Sequence, residues 1–502
     1  MNANNDASRL RRELLEEVAR AFMRDPEESS TEGSAKGLGE IDRVPFKLFP
    51  RAQKSVRCCI YRDRAIVRYR LLAQLGFAIE DEVDESTSLS AYAQRAKERA
   101  ASGTASGPYL TVIDEACNSC LRARYMVTNL CQACLARPCM RNCPKQAIAI
   151  EHKASIDEEK CVNCGLCMQA CPYHAIVKLS VPCEEACPVD AIAKDESGKE
   201  HIDYAKCVHC GKCMVECPFG AIMEKSQMAD VLSNLAAARK AGRKGRAPKP
   251  LVAIYAPAVA AQFSEGLPKI EASLRALGFT DAYEVAAGAE ITAQKEAEEL
   301  SMRLENGSGL MTTSCCPAYY ETVRKHLPAL ASQVSSTHSP MYYAAELAKA
   351  DHPDALIVFI GPCVAKKKEA RESGLVDYVL NAEELGAMLV AAGIELISIQ
   401  GMAPKPLAGK DGRGFPSSGG VAAAVRSKLT SLPGCEYGCA SECVNGLDKK
   451  GMARLKLFAA GKLKTDLLEV MACEGGCIAG PAVLVNPKRA LAQLDNIIKN
   501  SD

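Results

Sequence analysis

The sequence predicts a mixed α/β protein (α+β overall), in which small cysteine-rich modules precede a larger α/β domain. Residues 251 to 502 alternate short β-rich runs, such as "LVAIYAP" and "ALIVFIGPC", with longer helical runs, a pattern typical of α/β layering. Between residues 117 and 217, cysteines recur in short elements with repeated Cys-Pro steps. A chain of 502 residues, 48% hydrophobic and 25% charged, can bury the cores of about two to four domains.

The chain is expected to divide into four segments. Residues 8–24 show helical periodicity, "VRCCIYRDRAIVRYRLLAQLGF" suggests a hairpin running into a helix, and "RKAGRKGRAPKP" is typical of a solvated linker. The expected segments are an N-terminal helical or small α+β region of unknown role (1–113), a cysteine-rich cluster domain (114–225), a helix with a basic linker (226–250) and the larger α/β domain (251–502).

Charge and hydropathy exclude several classes of partner. The formal charge is +1, from 62 basic and 61 acidic residues, which favours neither nucleic acid nor an anionic membrane. No run of 18 or more apolar residues occurs, and the polar N-terminus lacks the apolar core of a secretory signal. We therefore expect a cytoplasmic protein without a membrane span.

Cysteine is the unusual component, with 26 residues in a chain expected to stay reduced, where clustered thiols are typically metal ligands. The runs "CVNCGLCMQACP" and "CVHCGKCMVECP" both have the spacing C-x2-C-x2-C-x3-C-P of bacterial ferredoxins. In that arrangement three cysteines wrap one 4Fe-4S cubane and the fourth binds another cluster, whereas zinc sites do not require the third cysteine and the proline. The two runs contain Cys161, Cys164, Cys167 and Cys171, and Cys207, Cys210, Cys213 and Cys217.

A stretched third copy, "CQACLARPCMRNCP", pairs with the 161–171 run to complete a ferredoxin-like two-cluster unit. The 207–217 run finds its partners in two separate pieces, "CNSC" and "CEEACP", if the first unit is inserted into the second. With this insertion, crosswise ligation predicts four cubanes, held by Cys131, Cys134, Cys139 and Cys171; by Cys161, Cys164, Cys167 and Cys143; by Cys117, Cys120, Cys183 and Cys217; and by Cys207, Cys210, Cys213 and Cys187. The alternative is three cubanes with unused thiols.

Several cubanes in one stretch predict a path for electrons, which must end where the electrons do chemistry. Three loops in the larger domain carry cysteines where strands are expected to end: "TSCCPAYYE" (313–321), "GPCVAKKKE" (361–369) and "EVMACEGGCIAG" (469–480). Together these segments resemble the three signature loops of the FeFe-hydrogenases, over roughly 251 to 490. The resemblance implies a two-lobed α/β catalytic domain.

The resemblance also implies a catalytic cluster, a 4Fe-4S cubane bridged to a two-iron centre with CO, cyanide and azadithiolate ligands. Its cubane ligands would be Cys316, Cys363, Cys473 and Cys477, with Cys477 the bridging thiolate. Cys315 would stay a thiol and carry protons. A disulfide between Cys315 and Cys316 is unfavourable, because it would strain the peptide bond between these adjacent residues.

Three further residues are implied as a proton path, Glu296, Glu299 and Ser335. The glutamates stand at i and i+3 on one expected helix face. Without the resemblance, the pair would be interpreted as surface glutamates on a charged helix.

Other side chains are implied to surround the two-iron centre. Lys366 would donate a hydrogen bond to a cyanide ligand, and Met341 and Phe415 would lie against the centre, while Lys367 and Lys368 are expected to be solvated. Gly361 and Ala258, and Met341 itself, depart from the residues usual in the family; Gly361 removes a methionine contact.

Five cysteines remain outside these assignments. Cys58 and Cys59 are expected to be buried thiols in a strand, and Cys435, Cys439 and Cys443 could share one helix face.

The resemblance implies reversible reduction of protons to dihydrogen, with electrons from ferredoxin or a similar carrier and a two-iron centre supplied by maturation proteins. Two alternatives stay open, a hydrogen or redox sensor on the same domain and an iron–sulfur assembly factor without the two-iron centre.

Overall fold

Helices and short strands alternate along most of the computed structural model, which describes residues 5–501 except 25–36, 53–54, 56–57, 103–106, 119, 121–123, 246, 248, 308, 406 and 434–437. Within these described residues the strands form two parallel sheets and four two-stranded antiparallel ladders. The predicted mixed fold class, α+β overall, is confirmed.

Four helices form the N-terminal region. The first carries the predicted apolar face, with Leu14, Leu15 and Val18 buried, and this face packs into the same core as the first strand of the larger domain. The helices are α1 (Asp6–Met23), α2 (Val44–Leu48), α3 (Ile60–Gln74) and α4 (Leu89–Ser102), with 3-10 turns at Gly37–Arg43 and Ile79–Asp81.

The predicted hairpin before α3 is wrong, because the described residues from 60 to 74 are one continuous helix. Cys58 and Cys59 lie at the N-terminal end of α3 and are exposed, so the expectation of buried strand thiols is also wrong. The buried side of α3 combines apolar residues such as Ile66, Val67 and Leu71 with the polar residues Asp63 and Arg70.

The cysteine-rich region consists of two units with the same topology. In each, the first strand pairs with the last and a hairpin lies between them. The elements are β1 (Leu110–Val112), β2 (Arg124–Val127), α5 (Pro138–Arg141), β3 (Ile148–Ile150), β4 (Ala154–Ile156), α6 (Leu166–Ala170), β5 (Ile176–Leu179), α7 (Pro182–Ala186), β6 (Ile192–Lys194), β7 (Glu200–Ile202), α8 (Lys212–Glu216) and β8 (Ile222–Glu224).

The β2–β5 ladder with the β3–β4 hairpin forms the inserted unit, residues 124–179. The β1–β8 ladder with the β6–β7 hairpin forms the host unit, residues 110–120 and 181–224. The host unit is thus closed by two strands that are more than 100 residues apart in the chain.

Helix α9 (Met228–Arg243) follows and extends into the segment expected to be a linker, so the first basic residues after 238 are helical. Two parallel sheets follow, ordered β10-β9-β12-β13 and β11-β15-β14. The elements are β9 (Leu251–Tyr255), α10 (Pro257–Ala260), α11 (Leu267–Leu277), β10 (Asp281–Glu284), α12 (Val285–Glu305), β11 (Met311–Thr312), α13 (Pro317–His326), α14 (Pro340–Asp351), β12 (Leu356–Ile360), α15 (Lys366–Ser373), β13 (Tyr378–Leu380), α16 (Ala382–Ala391), α17 (Lys410–Gly414), α18 (Gly420–Thr430), β14 (Ser441–Asn445), α19 (Lys449–Ala459), β15 (Leu467–Met471) and α20 (Pro487–Lys499), with 3-10 turns at Pro328–Leu330 and Cys477–Ala479.

The two sheets are the two lobes of the larger domain. Strands β9 and β15 are buried along their whole length, as parallel strands covered on both faces are. The cysteine loops follow β11, β12 and β15, at the carboxyl ends of the strands, where open α/β folds place their sites. Among the described helices, none combines the length and apolarity needed to cross a bilayer.

Candidate active site

A buried cavity lies between the two lobes and encloses about 900 Å³ of space free of protein atoms, counting its mouth. The loops after β9, β11, β12 and β15 line it, so the parallel strands of both sheets direct their carboxyl ends towards one place. The lining is largely apolar. The sequence-predicted residues on its wall are Cys315, Cys316, Cys363, Cys473, Cys477, Lys366, Met341, Phe415 and Cys210.

The four predicted cubane ligands are mutual neighbours on this wall. Burial raises the pKa of Cys363 and Cys473 far above the ordinary value, and the surrounding thiols add to the effect. Burial, with Cys316 as the nearest acidic neighbour, raises the pKa of Cys477 to about 12. Four neighbouring thiols, three of which resist ionisation, fit a group whose positive charge would hold them as thiolates, such as an iron–sulfur cluster.

A glycine turn brings Cys473 and Cys477 onto the same cavity. Gly475 and Gly476 both have φ near +90°, a conformation that other residues rarely adopt. A side chain at Gly476 would also collide with the carbonyl of Pro416 in the neighbouring loop. The turn therefore depends on both glycines.

Cys315 lines the cavity beside Cys316, as predicted. Burial raises the pKa of its thiol well above the ordinary value, and the nearby Glu296 carboxylate adds to the shift. At neutral pH the group is held as a thiol, which is the protonated form that a proton carrier requires.

Glu296 lies behind Cys315 on α12 and is fully buried, so the interpretation as a surface glutamate is wrong for this residue. Its Oε1 accepts hydrogen bonds from the Ser314 amide (2.9 Å) and the Ser314 hydroxyl (3.0 Å), and its Oε2 has no partner among the described residues. Burial outweighs these bonds and raises the pKa of Glu296 to about 7. The carboxyl group can therefore gain or lose a proton near neutrality.

Glu299, one turn further along α12, has a different environment. Its Oε1 accepts from Arg303 (2.7 Å), and its Oε2 accepts from the Ser335 hydroxyl (2.8 Å) and from the amide and hydroxyl of Ser336. Burial alone would raise the pKa of Glu299, but the hydrogen bonds from Ser335 and Arg303 hold it below the ordinary value. The sequence missed Arg303, Ser314 and Ser336; only the i, i+4 spacing of Glu299 and Arg303 signalled one of these contacts.

Lys366 lies on the cavity wall, and three neighbouring oxygens hold its ammonium group in place. Its Nζ lies 2.6 Å from Glu369 Oε2, 2.9 Å from Ser339 Oγ and 3.4 Å from the Cys315 carbonyl oxygen. Burial opposes the charged form, but the Glu369 carboxylate outweighs it and raises the pKa of Lys366. The lysine is thus a fixed, charged donor at the edge of the cavity.

Lys367 is not solvated, contrary to expectation, and Lys368 is only partly exposed. The Lys367 side chain is fully buried, where it pairs with Glu224 of β8 and donates to the Lys225 carbonyl oxygen (2.6 Å). Lys368 pairs with Glu321. Both partners come from distant parts of the chain.

Two of the positions that depart from the family pattern, Met341 and Ala258, are buried on the cavity wall, and so is Phe415. The Phe359 ring occupies the space into which a side chain at Gly361 would project, and Phe359 itself lines the cavity. An aromatic ring from β12 therefore fills the volume that the glycine leaves open.

The accessory thiols share one local geometry. At each of the four Cys-Pro steps, the residue three positions after the cysteine has positive φ, and the amide four positions after it donates to the cysteine Sγ at 3.1–3.4 Å. The donors are Ala147, Ala175, Ala191 and Ala221, and the acceptors are Cys143, Cys171, Cys187 and Cys217.

The neighbours of several thiols are those that crosswise ligation requires. Burial raises the pKa of Cys120, Cys139, Cys167, Cys183, Cys207, Cys210 and Cys213, and smaller contributions come from cysteines of the same predicted set. Cys213 is also influenced by Cys183 of the neighbouring set. The neighbour sets are Cys139 with Cys134 and Cys171; Cys167 with Cys161 and Cys164; Cys120 with Cys117 and Cys217, and Cys183 with Cys217; and Cys207, Cys210 and Cys213 with Cys187.

Among the described residues, no three His, Cys, Asp or Glu side chains lie close enough to share one metal ion.

Cys210 lines the catalytic cavity and contributes to the raised pKa of Cys473, which lines the cavity as well. The loop that carries Cys210 is fixed to the larger domain, since Lys325 donates to the Cys207 carbonyl oxygen (2.7 Å) and a side chain at Gly211 would collide with Pro481. The host unit and the cavity are thus in direct contact.

The prediction that Cys435, Cys439 and Cys443 share one helix face is wrong for Cys439 and Cys443, the two that are described. Cys443 lies in strand β14, where its Sγ is 3.1 Å from Ser418 Oγ and 3.7 Å from Glu469 Oε1, and Cys439 lies in the loop before it. Cys435 is outside the described residues.

Comparison with known proteins gives three matches to family models. Residues 249–481 match the iron only hydrogenase large subunit, C-terminal domain, residues 154–177 a 4Fe-4S binding domain, and residues 178–228 the LdpA Fe-S cluster-binding domain.

Similar curated proteins include the periplasmic [Fe] hydrogenase large subunit of Nitratidesulfovibrio vulgaris, 30% identical over 393 residues that cover 67% of this chain and 87% of that protein. Iron hydrogenase 1 of Clostridium pasteurianum is 31% identical over 265 residues, which cover 44% of this chain but only 46% of that protein. Among solved structures, an apo [FeFe]-hydrogenase of Chlamydomonas reinhardtii is 24% identical, with a TM-score of 0.45, over 53% of this chain and 88% of that one.

Proposed function

The chain belongs to the iron-only hydrogenase large-subunit family, and from this premise we propose that it catalyses the reversible reduction of protons to dihydrogen. The proposal is carried by one observation: Cys316, Cys363, Cys473 and Cys477 line a single buried cavity with Cys315 beside them. Glu296 behind Cys315 and Lys366 at the cavity edge complete the chemistry that proton reduction needs.

The donor set fits the proposed catalytic cluster. Cys316, Cys363, Cys473 and Cys477 would hold its cubane, with Cys477 as the bridging thiolate to a two-iron centre that carries CO, cyanide and azadithiolate ligands. When bound, the cluster would supply the iron that takes up electrons and polarises dihydrogen. Its two-iron part would have to come from maturation proteins.

The protein's own residues would handle protons and water. Cys315 would hold a proton at its Sγ, and Glu296 would exchange that proton with the outside, as its pKa of about 7 allows. Lys366 would donate to an anionic ligand with the N–H that now makes its longest contact, 3.4 Å to the Cys315 carbonyl oxygen, while Glu369 and Ser339 hold the ammonium group in place. Met341 and Phe415 would exclude water from the cavity.

Four accessory cubanes would bring electrons to the cavity. The nested strand ladders and the thiol neighbours support the crosswise assignment, in which Cys187, Cys207, Cys210 and Cys213 hold the cubane next to the cavity. The inserted unit would hold the two cubanes that are farther from the cavity in the electron path.

We propose the inserted unit as the entry point for electrons from a ferredoxin or a similar acidic carrier. Residues 124–179 contain seven basic and four acidic residues, a net charge of +3 where the whole chain has +1. Around Cys131 and Cys134 the surface is apolar as well, with Leu130 61% and Leu135 95% exposed. A basic, apolar rim beside a cluster suits an acidic partner.

The test is expression with the maturation proteins, followed by infrared spectroscopy and a hydrogen assay. Bands of iron-bound CO and cyanide together with dihydrogen evolution from a reduced dye are expected. Absence of the bands in a chain loaded with cubanes would favour the assembly-factor alternative, and bands with negligible turnover would favour a sensor. Four accessory cubanes and the catalytic cluster predict about 22 iron atoms per chain, whereas three accessory cubanes and the same cluster predict about 18.

The cytoplasmic location stays a prediction.

A further inference from the structure

A second pocket, hereafter the polar pocket, lies next to the catalytic cavity. It encloses about 1,000 Å³ of space free of protein atoms, counting its mouth, and shares Pro317 with the cavity wall. Hydroxyl groups concentrate on its surface, so it is suited to hold water. These hydroxyl-bearing residues are Ser314, Ser335, Ser336, Thr337, Ser339, Ser373, Tyr320 and Tyr342.

Ser314 connects Glu296 to the polar pocket through a single hydroxyl. Its Oγ donates to Glu296 Oε1 at 3.0 Å, and its amide donates to the same oxygen at 2.9 Å. Glu296 is fully buried, whereas Ser314 is half-buried and lines the pocket. One side chain therefore separates the buried carboxyl group from a space that reaches the surface.

The expected path through Ser335 is less direct in this chain. The Ser335 hydroxyl donates to Glu299 Oε2, and among the described residues no hydrogen bond joins Ser335 to Glu296. Glu299 also accepts from Arg303 and Ser336, so it is a carboxylate surrounded by donors. Such a group exchanges protons reluctantly, because the bonds favour its charged form.

We propose that Ser314 is a second exit for protons, which links Glu296 to the polar pocket in parallel with the Ser335–Glu299 route. The inference rests on the proposed function. In each inward step, pocket water gives a proton to Ser314 Oγ while the hydroxyl proton already there passes to Glu296 Oε1; the outward step is the reverse. One proton moves in total, one O–H bond forms and one breaks at each oxygen pair, and no electrons are transferred.

The test compares four forms of the matured enzyme: wild type, S314A, S335A and the S314A/S335A double variant. The rate of exchange between dihydrogen and D₂O reports proton movement directly. Parallel exits predict a loss below about tenfold in each single variant and a loss of about a hundredfold or more in the double variant. S314T, which restores a hydroxyl, should recover the rate, and S373A, on the same pocket wall, is the matched control.

A second readout does not depend on turnover. Infrared difference spectra should show the carboxyl band of Glu296 shifted in S314A and unchanged in S335A, since Ser314 is the one donor to that group within the described part of the chain. The inference is overturned if the double variant is no slower than the worse single variant, or if S335A rather than S314A shifts the band. Failure of the proposed function looks different, because wild type itself would then show no exchange.

Discussion

The inserted unit and the host unit share sequence motif, strand topology and backbone geometry, yet their thiols lie in different surroundings. In the host unit six of the eight cysteines are buried and two are half-buried; in the inserted unit two are buried, five half-buried and one, Cys164, is exposed. The motif therefore determines how the chain wraps a cluster, while packing against the rest of the protein determines the solvent exposure of that cluster. Exposure is one of the factors that set cluster potentials.

The largest expected difference between the units comes from one motif position. Cys210 and Cys164 are both the second cysteine of their run, but Cys210 lines the catalytic cavity and Cys164 faces solvent. We expect Cys210→Ser to reduce dihydrogen evolution more than about a hundredfold with any donor, exceeding what outer-shell changes at a metal site cost. Cys164→Ser should impair evolution driven by ferredoxin and leave most of that driven by a small reduced dye. Equal losses with the dye would contradict the difference in position.

A smaller effect is expected on stability, from the ion pairs that flank the two units. Lys367 is a fully buried partner of Glu224 in the host unit, whereas Lys178 and Glu185 form an exposed pair. Lys367→Met should destabilise the protein by about 3–5 kcal/mol, because it leaves a buried carboxylate unpaired. Lys178→Met should cost less than about 1 kcal/mol. Unfolding midpoints of the cluster-loaded proteins in urea measure both, and similar shifts would show that burial does not distinguish the pairs.

Loss of iron should also separate the units. With a chelator under air, the clusters of the inserted unit are expected to go first, since their thiols are more exposed. Iron per chain should fall in two phases, with about half of the accessory iron in the faster one. Cys164→Ser should shrink the fast phase only. A single phase would mean that the clusters are equally accessible.

The smallest effect is expected at the surface of the inserted unit. Arg141, exposed on α5, should contribute to binding an acidic carrier, and Arg141→Glu should raise the KM for ferredoxin about threefold at low salt. High salt should remove the difference, because it screens surface charge. Lys462→Glu, an exposed site on a loop of the larger domain, is the control and should leave the KM unchanged.

Local patterns predicted what depends on local sequence. The cysteine spacings predicted two ferredoxin-like units, one inserted in the other, as the strand ladders show, and the β-rich runs before Cys315, Cys363 and Cys473 predicted that these residues follow strands. The i, i+3 spacing likewise placed Glu296 and Glu299 on one helix.

Several failures share one physical cause, partners that are distant in the chain. Lys367 was expected in solvent because nothing near it in sequence pairs with it, and its partner Glu224 lies 143 positions earlier. Cys443 was placed on a helix by its spacing, but pairing with β15 makes that segment a strand. Ser314 gave no signal as a partner of Glu296, because their contact exists only once β11 and α12 have packed together.

The closing of the host unit by strands β1 and β8 has a consequence for biosynthesis. In the proposed assignment, the cubane bound by Cys117 and Cys120 also needs Cys217 as a ligand. A ribosome adds Cys217 100 residues after Cys117, which takes about 5–20 s. The inserted unit has all of its thiols by Cys171. A growing chain would thus complete the ligand set of its outermost clusters first and that of the host unit afterwards, which is the order in which electrons from outside would later pass through them to the cavity.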